Sequence, residues 1–512
     1  MYSFVSTGAL NGIESYLATV EVDASTGLPG FEMVGMLNAE IKEAKERVRV
    51  ALKNSGIAMP PLRITVNISP ANLRKNGTSY DLPIAIGLLI AIGELSQECV
   101  KDIVIIGELG LNGEVKFTNG ILPMVLQAKA EGMKTCLVPK ENAEEGAVVE
   151  GIDIIGVSML PEVIEYLKAN EKERMIFSKT TVDLERLMEQ STAYEECDFS
   201  EISGQEYVKK AVETAAAGFH HILLIGSPGA GKTMIAKRIP SILPPLSLED
   251  SMEVSKIYSI SGLLNERQAL ITKRPFCSPH HTISEQAFAG GGRIPKPGMV
   301  SLAHKGVLFL DEVVHFSNPT IEVLRQPMED KKVQIARNYG TFTYPADFML
   351  VAAMNPCPCG YFPDRNRCTC NEAQVRRYLS PVSGPILDRI DICVEVARME
   401  MKDLEKKSSV NSTIMRERIG KARKIQQLRF QGAGISFNAQ MGPNQIKEFC
   451  VLGSKEKSFV EQAFNALKLS ARAYHKILKV ARTIADLDGS DSICEEHLAG
   501  AIAYRSVDRK YW

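Results

Sequence analysis

The sequence Gly-Ser-Pro-Gly-Ala-Gly-Lys-Thr at residues 226–233 constrains the fold more than any other feature of the chain. The apolar run Ile222–Ile225 precedes it, and the helix-like segment Met234–Arg238 follows it. In such a strand–loop–helix setting, glycines let backbone N–H groups turn toward a phosphate, and the helix N-terminus favours negative charge. A simple glycine-rich turn is the alternative. The pattern predicts a P-loop whose nucleotide-binding residues are Gly226, Ser227, Pro228, Gly229, Ala230, Gly231, Lys232 and Thr233.

Two carboxylates follow a second apolar run, Val307–Leu310. An apolar run that ends in Asp-Glu is common by itself, but downstream of a P-loop it is typical of a Walker B strand. We expect Lys232 to neutralise the β- and γ-phosphate oxygens, and Thr233 and Asp311 to hold Mg²⁺. Glu312 would polarise the attacking water as general base. Together, the two motifs predict Mg²⁺-dependent ATP hydrolysis.

Three further segments resemble parts of the AAA+ ATPases. Leu350–Asn355 is similar to the sensor 1 strand, which implies that Asn355 reaches the attacking water or the γ-phosphate. Leu387–Asp391 resembles the arginine-finger segment, so Arg389 would complete the site of a neighbouring subunit. The alternative for Arg389 is a salt bridge within the chain to Asp388 or Asp391. Upstream, the segment that resembles the adenine cradle contributes Ile202 and Gln205.

The C-terminal part supplies a candidate for sensor 2. Arg472 begins a helix rich in basic residues and is the first candidate, with Arg482 as the second. A solvated basic helix face would explain the same pattern.

Length and charge bound the remaining possibilities. A chain of 512 residues is too long for one ordinary core, so two to four domains are expected. The formal net charge of −1 neither favours nor opposes nucleic-acid binding, which must depend on local basic clusters. The start lacks the pattern of a signal peptide, and the longest apolar stretch, roughly Leu82 to Gly93, is too short to cross a bilayer. We therefore expect a cytoplasmic protein without a membrane partner.

Changes in sequence pattern divide the chain into four parts. Residues 1–168 alternate strand-like and helix-like segments, and residues 169–200 form a polar linker or surface helix. A second α/β domain is expected over 201–397, followed by a helical domain over 398–512. In the first domain we predict strands at Tyr16–Val22, Arg63–Ile68, Ile103–Ile106, Lys134–Val138 and Asp153–Val157, and helices at Ile41–Asn54 and Asp81–Glu94.

Four of the eleven cysteines form two C-x-C pairs close together, at Cys357, Cys359, Cys368 and Cys370. Four thiolates suit the tetrahedral preference of structural Zn²⁺, although C-x-C is tighter than the usual knuckle spacing. Reduced cysteines or a redox-labile cluster are the alternatives. Because the cluster lies between the sensor 1 and finger segments, we expect it to stiffen a subunit interface.

Several short motifs together resemble the ComM/YifB family of Mg-chelatase-like AAA+ ATPases across essentially the whole chain. They are Arg274–Phe276, Pro279–Thr282, Gly290–Gly292, Pro297-Gly298, Ser301–His304, Asn355–Gly360, Ser383–Pro385, Leu387–Asp391 and Ala481–Leu487. The resemblance implies a Lon-protease-like (ribosomal S5 domain 2-like) N-terminal α/β domain, an AAA+ P-loop α/β domain and a C-terminal helical lid. It also implies a homo-hexameric ring that acts on DNA as an ATP-driven helicase promoting branch migration.

The same resemblance places two insertions toward the ring pore. One is Gly290–His304, which carries Arg293, Lys296 and His304, and the other is a predicted hairpin, Val333–Tyr344, with Arg337–Gly340 at its turn. Basic and aromatic hairpin tips suit sequence-independent contact with DNA. Ordinary surface loops are the alternative. A basic stretch in the helical domain is either a DNA grip or a solvated helix face, and it comprises Arg416, Arg418, Lys421, Arg423, Lys424 and Arg429.

The resemblance of the N-terminal domain to Lon puts Ser79 at the nucleophile position. Leu122 and Met124 occupy positions where Lon carries lysines, and neither side chain can activate a serine. We therefore expect a scaffold for assembly or DNA handling. A chelatase-type motor for metal insertion and, with less support, an ATP-dependent protease are the competing functions.

Overall fold

The structure is a computed structural model. It describes residues 1–512 except 191–196, 265–267, 338–339, 365, 383, 399–409 and 468. Two separate α/β layers are followed by a helical region, as the fold class predicted from the sequence requires. The predicted domain borders near 168, 200 and 397 stay predictions.

A seven-stranded mixed sheet forms the N-terminal layer, in the order β3-β4-β2-β1-β5-β8-β9. Its five predicted strands each overlap an observed strand, but β1 and β3 were not predicted. The strands are β1 Tyr2–Asn11, β2 Glu14–Ser25, β3 Gly30–Val34, β4 Arg63–Ser69, β5 Ile103–Ile105, the small hairpin β6 Glu108–Leu109 and β7 Val115–Lys116, β8 Thr135–Pro139 and β9 Asp153–Val157. The helices are α1 Ala39–Lys42, α2 Ala44–Asn54, α3 Asp81–Ala91, α4 Ile121–Ala130, α5 Ala143–Ala147 and α6 Leu160–Lys168.

Helix α3 explains how this layer is stabilised. All of its residues from Asp81 to Ala91 are buried, because it lies across β1 and β2 beneath α2. The Asp81 carboxylate is paired with Arg47 of α2 at 2.6 Å, so its burial is compensated. Two helices then lie in the predicted linker, α7 Glu171–Arg174 and α8 Leu184–Gln190.

Five parallel strands form the second sheet, in the order β11-β14-β17-β10-β18. The P-loop strand β10 lies between β17 and β18 and is fully buried, which fits its unbroken apolar sequence. In such a sheet, ligands bind beyond the carboxyl ends of the strands. The strands are β10 Ile222–Gly226, β11 Phe276–Cys277, β14 Val307–Leu310, β17 Met349–Met354 and β18 Ile392–Val396. The helices are α9 Glu206–Gly218, α10 Lys232–Ile242, α11 Leu248–Ser261, α12 Glu285–Ala289, α13 Met299–Leu302, α14 Asn318–Glu322, α15 Arg325–Asp330, α16 Glu372–Leu379 and α17 Gly384–Leu387.

Two hairpins project from this sheet and pack against each other. The first is β12 Gly290–Gly291 with β13 Lys296–Pro297, and the second is β15 Lys332–Arg337 with β16 Gly340–Pro345. The Tyr344 hydroxyl donates to the Pro295 carbonyl at 2.8 Å, and Arg337 Nε donates to the Gly292 carbonyl at 3.1 Å. The two insertions therefore form one unit.

The C-terminal region is helical, as predicted, and it is fastened by buried ion pairs. Asp486 accepts from Arg429 at 2.5 Å and from Arg482 at 3.0 Å. None of the helices in the described part of the chain is both long and apolar enough to cross a membrane. The helices are α18 Ser412–Arg429, α19 Pro443–Phe449, α20 Ser454–Ala466, α21 Ala471–Leu487, α22 Glu495–Ser506 and α23 Asp508–Tyr511.

A buried carboxylate joins the two α/β layers. Glu145 accepts from the Leu122 N–H at 2.9 Å, from Asn142 Nδ2 at 2.8 Å and from the Ser259 hydroxyl of α11 at 2.5 Å. Burial raises the pKa of Glu145, and the three donors oppose that rise. The N-terminus of α4 thus docks onto a helix of the second domain.

Candidate active site

The P-loop residues turn around the end of β10 at the carboxyl edge of the sheet. Gly229 and Gly231 have φ values of +74° and +90°, which only glycine adopts without strain. Lys232 Nζ donates to the carbonyls of Gly226 at 2.8 Å and Ser227 at 3.0 Å, and to Asn355 Oδ1 at 3.1 Å. Burial lowers the pKa of Lys232, whereas the nearby carboxylates act to raise it.

The two residues predicted to hold Mg²⁺ meet directly. The Thr233 hydroxyl donates to Asp311 Oδ2 at 2.7 Å, across the gap between α10 and the end of β14. A hydroxyl and a carboxylate oxygen are hard ligands of the kind that Mg²⁺ takes beside nucleotide phosphates. The donor set therefore fits the metal that the two motifs imply.

Glu312 lies next to this pair in an unusual backbone conformation. Its φ and ψ are both 49°, in the left-handed region, and its N–H donates to Asp311 Oδ1 at 3.0 Å. Non-glycine residues are held there only when the surrounding structure requires it. The turn leaves the Glu312 side chain exposed at the mouth of the site, where a water could reach it.

Asn355 lies at the end of β17, between the P-loop strand and the Walker B strand. Tyr378 of α16 lies near Asn355 and Glu312. Burial together with the charge of Glu312 raises the pKa of Tyr378 to about 12, and Asn355 opposes that rise. The sequence analysis missed Tyr378, because nothing in the pattern around it indicates that α16 returns to the site.

The predicted adenine segment also reaches the P-loop. Gln205 Nε2 donates to the Ala230 carbonyl at 3.0 Å and to the Ala397 carbonyl at 3.3 Å. Ile202 is buried beside it. These contacts place the segment against the loop and against the residue that follows β18.

Arg389 makes an ion pair that the sequence did not suggest. Its guanidinium pairs with Glu329 of α15 at 2.7 Å and donates to the Pro385 carbonyl at 2.8 Å. Arg389 is thus in an ion pair within the chain, as the alternative proposed, but its partner is Glu329. Asp391 instead accepts from His220 at 3.3 Å and pairs with Lys476 at 3.1 Å. Ser383, near the start of the finger segment, lies outside the described residues.

The two sensor 2 candidates differ in availability. Arg472 is exposed in the first turn of α21. Arg482 is buried, and its guanidinium is bound by Asp486 and by the carbonyls of Ser490 and Asp491. Arg482 is therefore structural, and the second candidate was wrong.

Comparison with known proteins agrees with this geometry. Family models match in chain order: the subunit ChlI of Mg-chelatase over 20–142, magnesium chelatase subunit ChlI over 198–404, and its C-terminal part over 409–505. The competence protein ComM of Haemophilus influenzae is 39% identical over 510 residues, which cover 99% of this chain and 98% of ComM. The chain belongs to the ComM/YifB family. YifB of Escherichia coli is 40% identical over 510 residues, 99% of this chain and 97% of its own.

Membership in the ComM/YifB family supports an ATPase motor that uses ATP and Mg²⁺. Lon protease 2 of Bacillus subtilis is 27% identical over 175 residues, or 32% of this chain and 31% of its own. The predicted similarity to both families is confirmed.

The N-terminal site of this ComM/YifB protein borders a cavity of about 1030 Å³, and Thr78, Ser79 and Glu108 are among the residues that line it. Ser79 is 6% exposed, and Thr78 donates to Glu108. The fully buried Lys75 donates to the carbonyls of Pro70 and Leu73. Leu122 and Met124 are buried in the core.

The residues predicted to touch DNA divide into two groups. Arg293, Lys296 and Arg337 are exposed on the paired hairpins, whereas Asn338 and Tyr339 lie outside the described residues. His304 was a wrong prediction, because it is buried, pairs with Glu253 at 3.1 Å and accepts from the Asp347 N–H.

The basic stretch of α18 is mostly engaged within the chain. Arg416 donates to the Ser241 carbonyl, Arg418 pairs with Glu213, Arg423 is buried over the Phe437 ring, and Arg429 pairs with Asp486. Lys421 and Lys424 are exposed. Arg416 and Arg418 therefore hold α18 to the P-loop domain, whereas Arg423 and Arg429 fasten α18 within the helical region.

The cysteine cluster lies beside the P-loop of the same chain. The four Sγ atoms of Cys357, Cys359, Cys368 and Cys370 are all within 4.8 Å of one another. The loop that carries them packs against Pro228. The expected role of the cluster at a subunit interface stays a prediction.

Proposed function

We propose that the chain is an ATP-hydrolysing, ring-forming motor that acts on DNA as a helicase promoting branch migration. The supporting observation is that one domain carries both a converged nucleotide site and a basic double hairpin. The relation to a competence protein points to the same class of activity.

In this proposal each residue of the nucleotide site has one task. Lys232 neutralises the phosphates, and Thr233 and Asp311 hold Mg²⁺, which would shield the developing charge. Glu312 accepts the proton of the attacking water, and Asn355 orients that water. Ile202 and Gln205 hold the base, and Arg472 reaches the phosphates from a lid.

Assembly supplies the missing positive charge. Arg389 is 14% exposed at its side chain and is held by Glu329. In a homo-hexamer it would reach the γ-phosphate of the next subunit, where charge develops in the transition state. Hydrolysis would then require neighbouring subunits and could be coupled to movement.

The double hairpin is the proposed DNA contact. Arg293, Lys296 and Arg337 share it, and Lys332 is exposed at its base. Cationic side chains on a narrow projection suit the phosphate backbone and read no sequence.

The test is the ATPase rate with and without a Holliday junction. We expect the junction to stimulate turnover several-fold, and Lys296→Ala with Arg337→Ala to remove the stimulation. Lys455→Ala, an exposed lysine of α20, is the matched control and should retain it.

An ATPase that is indifferent to every DNA tested would refute the DNA motor. The three magnesium chelatase models make metal insertion the second candidate. Stimulation by a metal-chelatase partner in place of DNA would favour that function.

A further inference from the structure

Four thiols converge in the loop between the sensor 1 strand and α16. Among the described residues, no other cluster of histidine, cysteine or acidic side chains reaches metal-ligand geometry. The Sγ atom of Cys357 lies 3.3 Å from that of Cys359 and 3.8 Å from that of Cys368, and the Cys359–Cys368 separation is 3.6 Å.

These separations match a tetrathiolate site. Zn–S bonds of about 2.3 Å place the sulfurs of a tetrahedron about 3.8 Å apart, whereas a disulfide needs about 2.05 Å. The Phe362 N–H points at Cys357 Sγ at 3.4 Å, as backbone amides do toward thiolates. The geometry therefore favours a metal over oxidised pairs or four free thiols.

Gly360, inside this loop, is pressed against the P-loop. Its φ is +82°, and a Cβ atom there would lie 2.3 Å from Pro228 Cδ. Pro228 directly follows Ser227, whose carbonyl accepts from Lys232 Nζ. The cysteine loop thus supports the outer turn of the phosphate-binding loop by direct contact.

The other side of the cysteine loop is braced by the C-terminal helix. The rings of Phe362 and Tyr511 lie 6.0 Å apart, and the Tyr511 hydroxyl donates to Glu395. Glu395 belongs to β18 and is the register partner of Ile225 in the P-loop strand. The loop is therefore held between the P-loop and the end of the chain.

We propose that Cys357, Cys359, Cys368 and Cys370 bind one Zn²⁺ ion, and that this zinc knuckle supports the P-loop through the Gly360–Pro228 contact. Binding releases the thiol protons to solvent and closes a loop that has no helix or strand of its own among the described residues. Without the metal, the Pro228 contact loses its rigid support. Nucleotide affinity then falls, a consequence that rests on ATP binding at the P-loop.

The first experiment measures metal in the full-length protein. We expect about one zinc per chain by mass spectrometry, released on titration with a mercurial and detected with a chromogenic chelator. The double variant Cys368→Ser with Cys370→Ser should lose it. Cys99→Ser, a partly exposed cysteine of the N-terminal domain, should keep it. Protein free of zinc, or disulfides among these four cysteines, would overturn the proposal.

The second experiment measures the affinity for a fluorescent ATP analogue. Gly360→Ala keeps all four thiols, so it should retain zinc, yet its Cβ forces Pro228 to move. We expect the dissociation constant to rise about tenfold in Gly360→Ala and in the double cysteine variant, with wild-type affinity in Cys99→Ser. Gly360→Ala remains informative if the double cysteine variant fails to fold.

The result separates the two proposals. Zinc-loaded wild-type protein that fails to bind the analogue would refute the proposed ATPase, whatever the metal content. If the analogue binds tightly, and neither removal of zinc nor Gly360→Ala changes its affinity, the proposed support of the P-loop by the cysteine loop is refuted and the proposed ATPase is not.

Discussion

The nucleotide site and the Lon-like site of the N-terminal domain contain similar residue types but arrange them differently. Each has a lysine, a hydroxyl and a carboxylate. In the first, Thr233 meets Asp311 while Lys232 reaches Asn355, and Glu312 stays exposed. Residue types indicate chemistry only when their polar atoms converge on a place that a substrate can reach.

In the Lon-like site the polar groups do not converge. Lys75 is bound by backbone carbonyls, Thr78 donates to Glu108, and Ser79 is 6% exposed. The Leu122 N–H donates to Glu145, which also binds the second domain through Ser259. This part of the Lon-like domain therefore forms a contact between the two domains.

The largest effect should follow from removal of the general base. Glu312→Gln keeps the shape of the side chain but cannot take the proton, so turnover should fall about 10⁴-fold while ATP still binds. Phosphate release and equilibrium binding of labelled ATP measure the two quantities. Lys232→Ala should lose binding as well. Normal turnover in Glu312→Gln would show that the exposed carboxylate is not the base.

Arg389→Ala should lower turnover about 10³-fold, because the nucleotide site of the neighbouring subunit loses the positive charge that Arg389 would supply. The Glu312→Gln variant keeps Arg389, so mixing it with the Arg389→Ala variant should restore part of the turnover rate. At equal amounts, about a quarter of the interfaces combine both intact groups. The double variant, Glu312→Gln with Arg389→Ala, is the control and should restore nothing. If no mixture recovers turnover, Arg389 acts within its own chain.

Glu145→Ala tests the domain contact. It leaves the buried Leu122 N–H and Ser259 hydroxyl without their acceptor, so we expect a loss of about 2 kcal/mol from the unfolding transition that contains this contact. Calorimetry measures this loss in the free energy of unfolding. Glu144→Ala, which removes an exposed neighbouring carboxylate, is the control. Equal midpoints in both variants would mean that the contact contributes nothing.

Ser79→Ala should have the smallest effect. We expect no casein cleavage by the wild-type protein and an unchanged ATPase rate in the variant, because the hydroxyl has no lysine to activate it. Casein cleavage that disappears in Ser79→Ala would instead revive the protease function.

Contiguous motifs made the fold and much of the nucleotide site predictable. Gly226–Thr233 and Val307–Glu312 each join a strand to its functional residues, so local sequence is enough to place them. Tyr378 lies near Asn355, and Glu329 pairs with Arg389. Both belong to helices whose sequences indicate only that they are amphipathic or polar. Their positions depend on how α15 and α16 pack, which local patterns do not encode.

Charge was the least informative property at the level of sequence. His304 and four arginines of α18 looked available for DNA, but all five side chains are bound within the chain. Basic residues that bind a partner and basic residues that make contacts within the chain occur in the same sequence pattern. Only burial separates the two cases, and burial depends on contacts that are distant in sequence.

Helix α11 contacts both the N-terminal layer and the segment after the first hairpin, and the second hairpin also meets that layer directly, because Phe342 lies against Gly12. One side carries the N-terminal domain through Ser259 and Glu145. The other holds α13, directly after the first hairpin, because the Tyr258 hydroxyl donates to the Leu302 carbonyl at 3.1 Å and Glu253 pairs with His304. The hairpins and the N-terminal layer are therefore attached to the same helix, so a displacement of α11 would move both.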